Sequence, residues 1–160
     1  MKESASHPST RREFCAHACY AASLAAAGVL VSACGGGNPT SPSGGTAPLL
    51  PTLSGNVTGR TVSVNVGSSS PLATVGNAAL VQTSLGSFLV ARVGQDNATA
   101  LTATCTHEAN LVTGFSGGRF VCNVHGSQFS TSGAVVMGPA NSALRSYPAT
   151  LAGDVVSFTV

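Results

Sequence analysis

Cys105-Thr106-His107, followed after fourteen residues by Cys122-Asn123-Val124-His125-Gly126-Ser127-Gln128-Phe129, is the stretch that carries the most specific signal in the chain. Of five cysteines and four histidines in 160 residues, two of each stand here, interleaved as Cys, His, Cys, His. The others, His7, Cys15, His17, Cys19 and Cys34, all fall in an N-terminal segment with the features of an export signal. A domain left with two thiols and two imidazoles in one pattern reads most simply as the holder of a metal centre, because these side chains are the soft and borderline ligands of transition metals. If each tight pair sits on its own loop, two loops side by side offer both sulfurs to one place and both ring nitrogens to another.

Two plainer readings use the same residues. A structural zinc site can take two Cys and two His, although such sites usually group the cysteines together and the histidines together, and one residue between Cys105 and His107 is tight for a shared tetrahedral ion. A Cys105-Cys122 disulfide is the other, since exported proteins often carry one. Neither accounts for the two histidines together with the residues after them.

Those residues, His125-Gly126-Ser127-Gln128-Phe129 and then Gly138-Pro139-Ala140, complete a pattern that resembles the Rieske family over about Leu80 to Val160. The resemblance implies a 2Fe-2S cluster with Cys105 and Cys122 on one iron and His107 and His125 on the other. It also implies that Gly126 and Ser127 shape the second cluster loop, Ser127 donating its hydroxyl to a bridging sulfide, and that Pro139 belongs to a loop covering the cluster. Two thiolates and two neutral imidazoles carry less negative charge than four thiolates, so an added electron is repelled less. The potential of such centres is roughly −150 to +300 mV, against about −400 mV for plant-type ferredoxins. By the same resemblance the histidine end reaches the surface, and its outer ring nitrogens lose protons when the iron is oxidised. The potential is then expected to fall as pH rises.

Four positions depart from the quinol-oxidising branch of that family, in three ways. Asn110 and Val124 stand where that branch has a disulfide between the two loops, so here packing and the cluster must hold the loops. Phe129 stands where high-potential members have a tyrosine whose hydroxyl bonds a cysteine sulfur, which lowers the expected potential. Glu108 stands where those members present an apolar residue, and a carboxylate resists burial in an apolar pocket. Glu108 also reads as an ordinary solvated loop residue.

Residues 1–34 are read as a signal peptide. Thr10-Arg11-Arg12-Glu13-Phe14 before an Ala-rich apolar run resembles a twin-arginine export signal, a route that carries proteins already folded around a cofactor. The run ends Leu30-Val31-Ser32-Ala33-Cys34, which resembles a bacterial lipobox and implies acylation of Cys34 and anchoring to the periplasmic face of a membrane. The competing reading is an uncleaved helix over 14–33, which is about long enough to span a bilayer but weakly apolar for that purpose. Residues 35–50, rich in Gly, Ser and Pro, read as a flexible tether, and 51–160 as the cluster domain.

From Gly35 onward the chain has four arginines, no lysine and three acids, Asp96, Glu108 and Asp154, a sparse charge that gives no reason to expect nucleic acid. Strand signals recur at 61–66, 87–93, 99–103, 119–122, 134–137 and 155–160, mostly β-branched or aromatic and bounded by Gly, Asn or Ser. No helical periodicity follows residue 50. The expected fold is all-β, a Rieske-type antiparallel sandwich or barrel with a cluster-binding subdomain at one tip. The Asn56-Val-Thr and Asn97-Ala-Thr acceptor patterns are coincidental behind a bacterial type of signal.

The expected function is electron transfer. Its partners are a quinol-oxidising membrane complex, or a periplasmic cytochrome or oxidoreductase. No nucleophile with a partner and no flavin or nicotinamide motif suggests catalysis by the chain alone. The competing class is a lipoprotein whose Cys and His hold zinc or a disulfide without redox function.

Overall fold

Three valines at every second position, Val62, Val64 and Val66, are at most 2% exposed, and they form one wall of a core by the two-residue period of an extended chain. The computed structural model describes residues 46–160. Arg11, Arg12, Cys34 and the first part of the tether lie outside the described residues. The strands run β1 (Thr52–Ser54), β2 (Asn56–Thr58), β3 (Thr61–Asn65), β4 (Ala78–Thr83), β5 (Gly86–Arg92), β6 (Ala98–Thr102), β7 (Gly114–Ser116), β8 (Arg119–Val121), β9 (Gln128–Ser130), β10 (Val135–Met137), β11 (Ser146–Tyr147), β12 (Ala149–Ala152) and β13 (Val155–Thr159). Each of the six runs expected from the sequence contains a strand. Among the described residues the only helical segment is a 3-10 turn at Pro71–Ala73, capped by Ser70, whose Oγ accepts from the Leu72 N–H at 3.2 Å. No helix among them is long and apolar enough to cross a membrane.

The strands form three sheets, ordered β12-β13-β3-β2, β1-β4-β5-β6-β11 and β10-β9-β8-β7. All pairings are antiparallel except β1 with β4. The five-stranded sheet is buried on both faces. Ala79, Val81, Phe88, Val90 and Ala100 join Val62, Val64, Leu72, Val156 and Phe158 in one core, where Phe88 meets Phe158 edge-on at 5.1 Å. Their neighbours Ala78, Leu80, Leu89, Ala91 and Leu101 point the other way into a second core with Val112, Phe120, Phe129 and Leu144. A sheet covered on both sides has apolar residues at consecutive positions, which is why β4 reads Ala-Ala-Leu-Val without alternation.

The second core includes Cys105 and Cys122, so the two thiols are built into the interior beneath the third sheet. The end of the expected tether is not free: Leu49 bridges Gly114, the Leu50 N–H donates to Thr113 O at 2.8 Å, and the Phe115 N–H donates to Pro48 O at 3.0 Å. Residues 47–50 extend the edge beside β7, and their Pro and Gly neighbours disguised this in the sequence.

Candidate metal centre

The two Cys/His pairs sit on hairpins of the same construction. In the first, the Cys105 N–H donates to Asn110 O, the Ala109 N–H to Cys105 O and the Val112 N–H to Ala103 O. Seventeen residues on, the Cys122 N–H donates to Ser127 O and the Gly126 N–H to Cys122 O, and Phe120 pairs with Phe129 in register. The residue four after each cysteine turns the chain with positive φ, Ala109 at 57° and Gly126 at 78°. The two hairpins differ in where histidine falls: His107 is two residues after its cysteine, His125 three after its own.

Cys105 and Cys122 are 3% and 1% exposed, both are free thiols, and their side chains hydrogen-bond to each other. No disulfide joins them in this structure. Burial, then the bond to Cys105, pushes the Cys122 thiol above its usual 9.0; the backbone N–H groups of Val124 and His125 pull the other way, since they bond the sulfur and favour thiolate. The imidazoles of His107 and His125 are exposed and pack edge to face with centroids 5.1 Å apart. Sulfur donors thus lie inside and nitrogen donors outside, as the expected ligand set requires.

Glu108 lies at the imidazole end, one carboxylate oxygen 3.5 Å from His125 Nδ1 and the other 4.0 Å from His107 Nε2. Donor atoms of His107, Glu108 and His125 fall within 4.8 Å of one another, a set that could hold a single ion, but one that leaves both buried thiols unused.

Around the thiols, Ser127 is 0% exposed, and its Oγ accepts from the Ala140 N–H at 3.0 Å. That bond uses a lone pair and leaves the hydroxyl hydrogen free to donate, as the reading of Ser127 requires. Pro139 is exposed, joined to Gly138 by a cis peptide bond, in a loop that the Thr106 hydroxyl also reaches by donating to Ser142 O at 2.6 Å. One loop over 138–142 is therefore tied to both hairpins. Phe129 is fully buried in the second core, with an apolar ring at the foot of the site. The residues present fit a cluster with two sulfur and two nitrogen ligands. Sequence reasoning did not single out Asn123, which bonds Ala47 from within the second hairpin; its place between a candidate cysteine and a candidate histidine was the available signal.

Known proteins resemble the chain in the same terms. The Rieske [2Fe-2S] domain family matches residues 62–148, more than half of the chain. The cytochrome b6-f complex iron-sulfur subunit of Prochlorococcus marinus (strain MIT 9301) is 44% identical over 54 residues, 33% of this chain and 30% of that protein. The subunit of the same description from Cyanothece sp. (strain PCC 7425 / ATCC 29141) is 40% identical over 60 residues, 37% of this chain and 34% of that protein. The chain matches about a third of the length of these curated relatives. Among solved structures, the cyanobacterial plasma membrane Rieske protein from Synechocystis PCC 6803 is similar with a TM-score of 0.51 and 31% identity, over 61% of this chain and 99% of that one. A donor set divided between buried sulfur and exposed nitrogen, two matching hairpins and these relatives lead to one identification: the chain belongs to the Rieske family, whose 2Fe-2S cluster transfers electrons.

Proposed function

We propose that Cys105 and Cys122 bind one iron and His107 and His125 the other, in a domain that carries single electrons at the extracytoplasmic face of a bacterial membrane. The observation that carries this reading is the pairing of two adjacent buried thiols with two exposed imidazoles 5.1 Å apart. When bound, the cluster supplies one-electron exchange at a potential raised by its imidazole ligands. The chain's own residues set the surroundings. The N–H groups of Val124 and His125 stabilise the Cys122 thiolate, Ser127 offers its hydroxyl hydrogen, and the buried core keeps water from the sulfur side. The exposed histidines leave one end open to a redox partner.

For that partner, the names of the curated relatives favour a quinol-oxidising membrane complex. Glu108 favours a second reading, a carrier to a periplasmic cytochrome or oxidoreductase. Its carboxylate stands at the imidazole end with a side chain 56% exposed, and burying it unpaired in an apolar quinol pocket is costly. In either case we assign export to Arg11 and Arg12 and membrane attachment to a lipid on Cys34, with residues between Cys34 and the domain as spacer.

Protein purified without oxygen should contain iron and acid-labile sulfide in equal amounts. Once reduced, it should give an EPR spectrum with average g below that of the free electron. Cys122→Ser and His125→Ala should each abolish both signals. A colourless protein loaded with zinc would sink the reading.

A further inference from the structure

We propose that the segment entering the domain at Ala47–Leu50 and the side chain of Asn123 form a non-covalent staple that fixes the two cluster hairpins to each other, with Asn123 as its positioning residue. The inference rests on the ligand reading above, since it takes these hairpins to be the cluster's supports.

Asn123 follows Cys122 and precedes His125, so whatever fixes its side chain fixes the middle of the second hairpin. Its amide oxygen accepts from the Ala47 N–H at 2.9 Å, and its amide nitrogen donates to Ala47 O at 3.2 Å and to Thr113 Oγ1 at 3.5 Å. A carboxamide has one donor side and one acceptor side, so it meets the backbone of Ala47 as another peptide group would. The same entering segment holds the chain that leaves the first hairpin, through Leu50 N–H to Thr113 O and Phe115 N–H to Pro48 O. One short segment is thereby bonded to both supports, which share no disulfide.

Gly114 shows how closely these parts meet. A Cβ there would lie 2.8 Å from the Ala47 Cβ and 2.8 Å from Asn123 Oδ1, so a side chain at this position would push the two apart. The equivalent of Asn123 in the first hairpin, one residue after the cysteine, is Thr106, which bonds Ser142 in the loop over 138–142. The residue after each cysteine is thus an anchor, on different sides of the site.

The test uses the full-length, cluster-loaded protein, with loss of visible absorbance followed in excess iron chelator. Asn123→Ala and Gly114→Ala should each speed release by about tenfold, the scale expected when a half-buried hydrogen-bonding partner is lost. Together they should release no faster than the faster single variant, because both open one staple. Amide exchange at the Cys122 and Gly126 N–H groups should quicken in both variants, while exchange in β3 and β13 stays as in the parent. Unchanged release, effects that multiply in the double variant, or unchanged exchange at Cys122 and Gly126 would overturn the staple. If Gly114→Ala does not fold, Asn123→Ala alone decides, through release and exchange. A parent without iron and sulfide would instead overturn the ligand reading, and the exchange measurement on that protein still decides the staple.

Discussion

The hairpin from Ala103 to Val112 and the hairpin from Phe120 to Phe129 share one hydrogen-bond frame, yet they are held very differently. The second is closed by two fully buried phenylalanines, turns on a glycine, and has Ser127 bonded to Ala140 and Asn123 bonded to Ala47. The first is closed by Ala103 and Val112, turns on an alanine, and has Thr106 bonded to Ser142 as its main side-chain tie. The backbone pattern that presents a cysteine is therefore independent of what anchors it. The better anchored hairpin carries the histidine that follows its cysteine at the longer spacing; the other carries Glu108 at the surface.

The sharpest way to break this comparison is at the closing position. Phe129→Ala should cost about 3–5 kcal/mol, and Val112→Ala distinctly less, because the larger ring leaves the larger cavity. Urea unfolding of both variants checks the order, and equal losses would mean that the two hairpins are equally anchored. A smaller effect is expected at the turns. Positive φ costs a residue with a Cβ about 1–2 kcal/mol. Gly126→Ala should destabilise by about that much, whereas Ala109→Gly should be neutral or stabilise by up to about 1 kcal/mol, the relief of strain being offset by the extra freedom glycine has when unfolded. Thermal unfolding showing the same sign at both turns would refute the assignment of strain to Ala109.

The smallest effect is one of pH, on the iron-free protein. Because the Cys122 thiol is raised above 9.0, the folded chain keeps its proton after the unfolded chain has begun to lose it. Stability from this source is complete below the ordinary thiol range and declines as pH rises through it, ceasing to fall once the folded thiol also ionises. Cys105→Ala should shallow the decline, by removing the hydrogen bond that ranks second among the causes, and Cys122→Ala should remove this contribution. Unfolding midpoints of parent and variants at neutral and alkaline pH give the comparison. A parent that gains stability with rising pH in that range would contradict it.

The site was legible because its chemistry is local: two cysteines and two histidines within twenty-one residues need no knowledge of the fold to be associated. The outer sheet was legible for a related reason, as Val62, Val64 and Val66 face one core and solvent takes much of the other side. β4 was not, because burial on both faces erases the alternation that marks a strand. The three-residue strands β1, β2, β7 and β9 hold one large apolar side chain each, too few to mark them, whereas the equally short β8 and β10 hold two and three. Ala47–Leu50 read as tether because its composition is that of a flexible segment, whereas its order comes from Asn123 and Thr113, far along the chain. The correspondence between hairpins was equally hidden, since apart from the cysteine their residues differ at every matched position.

The entry of the chain beside β7 has a mechanical consequence. A pull directed along the N-terminal end loads the bonds from Ala47 to Asn123 first and the Pro48 and Leu50 bonds next, before the load reaches the sandwich. Bonds lying at the point of traction yield at low force when they open one after another. Tension there would therefore loosen the second hairpin while both cores stay closed.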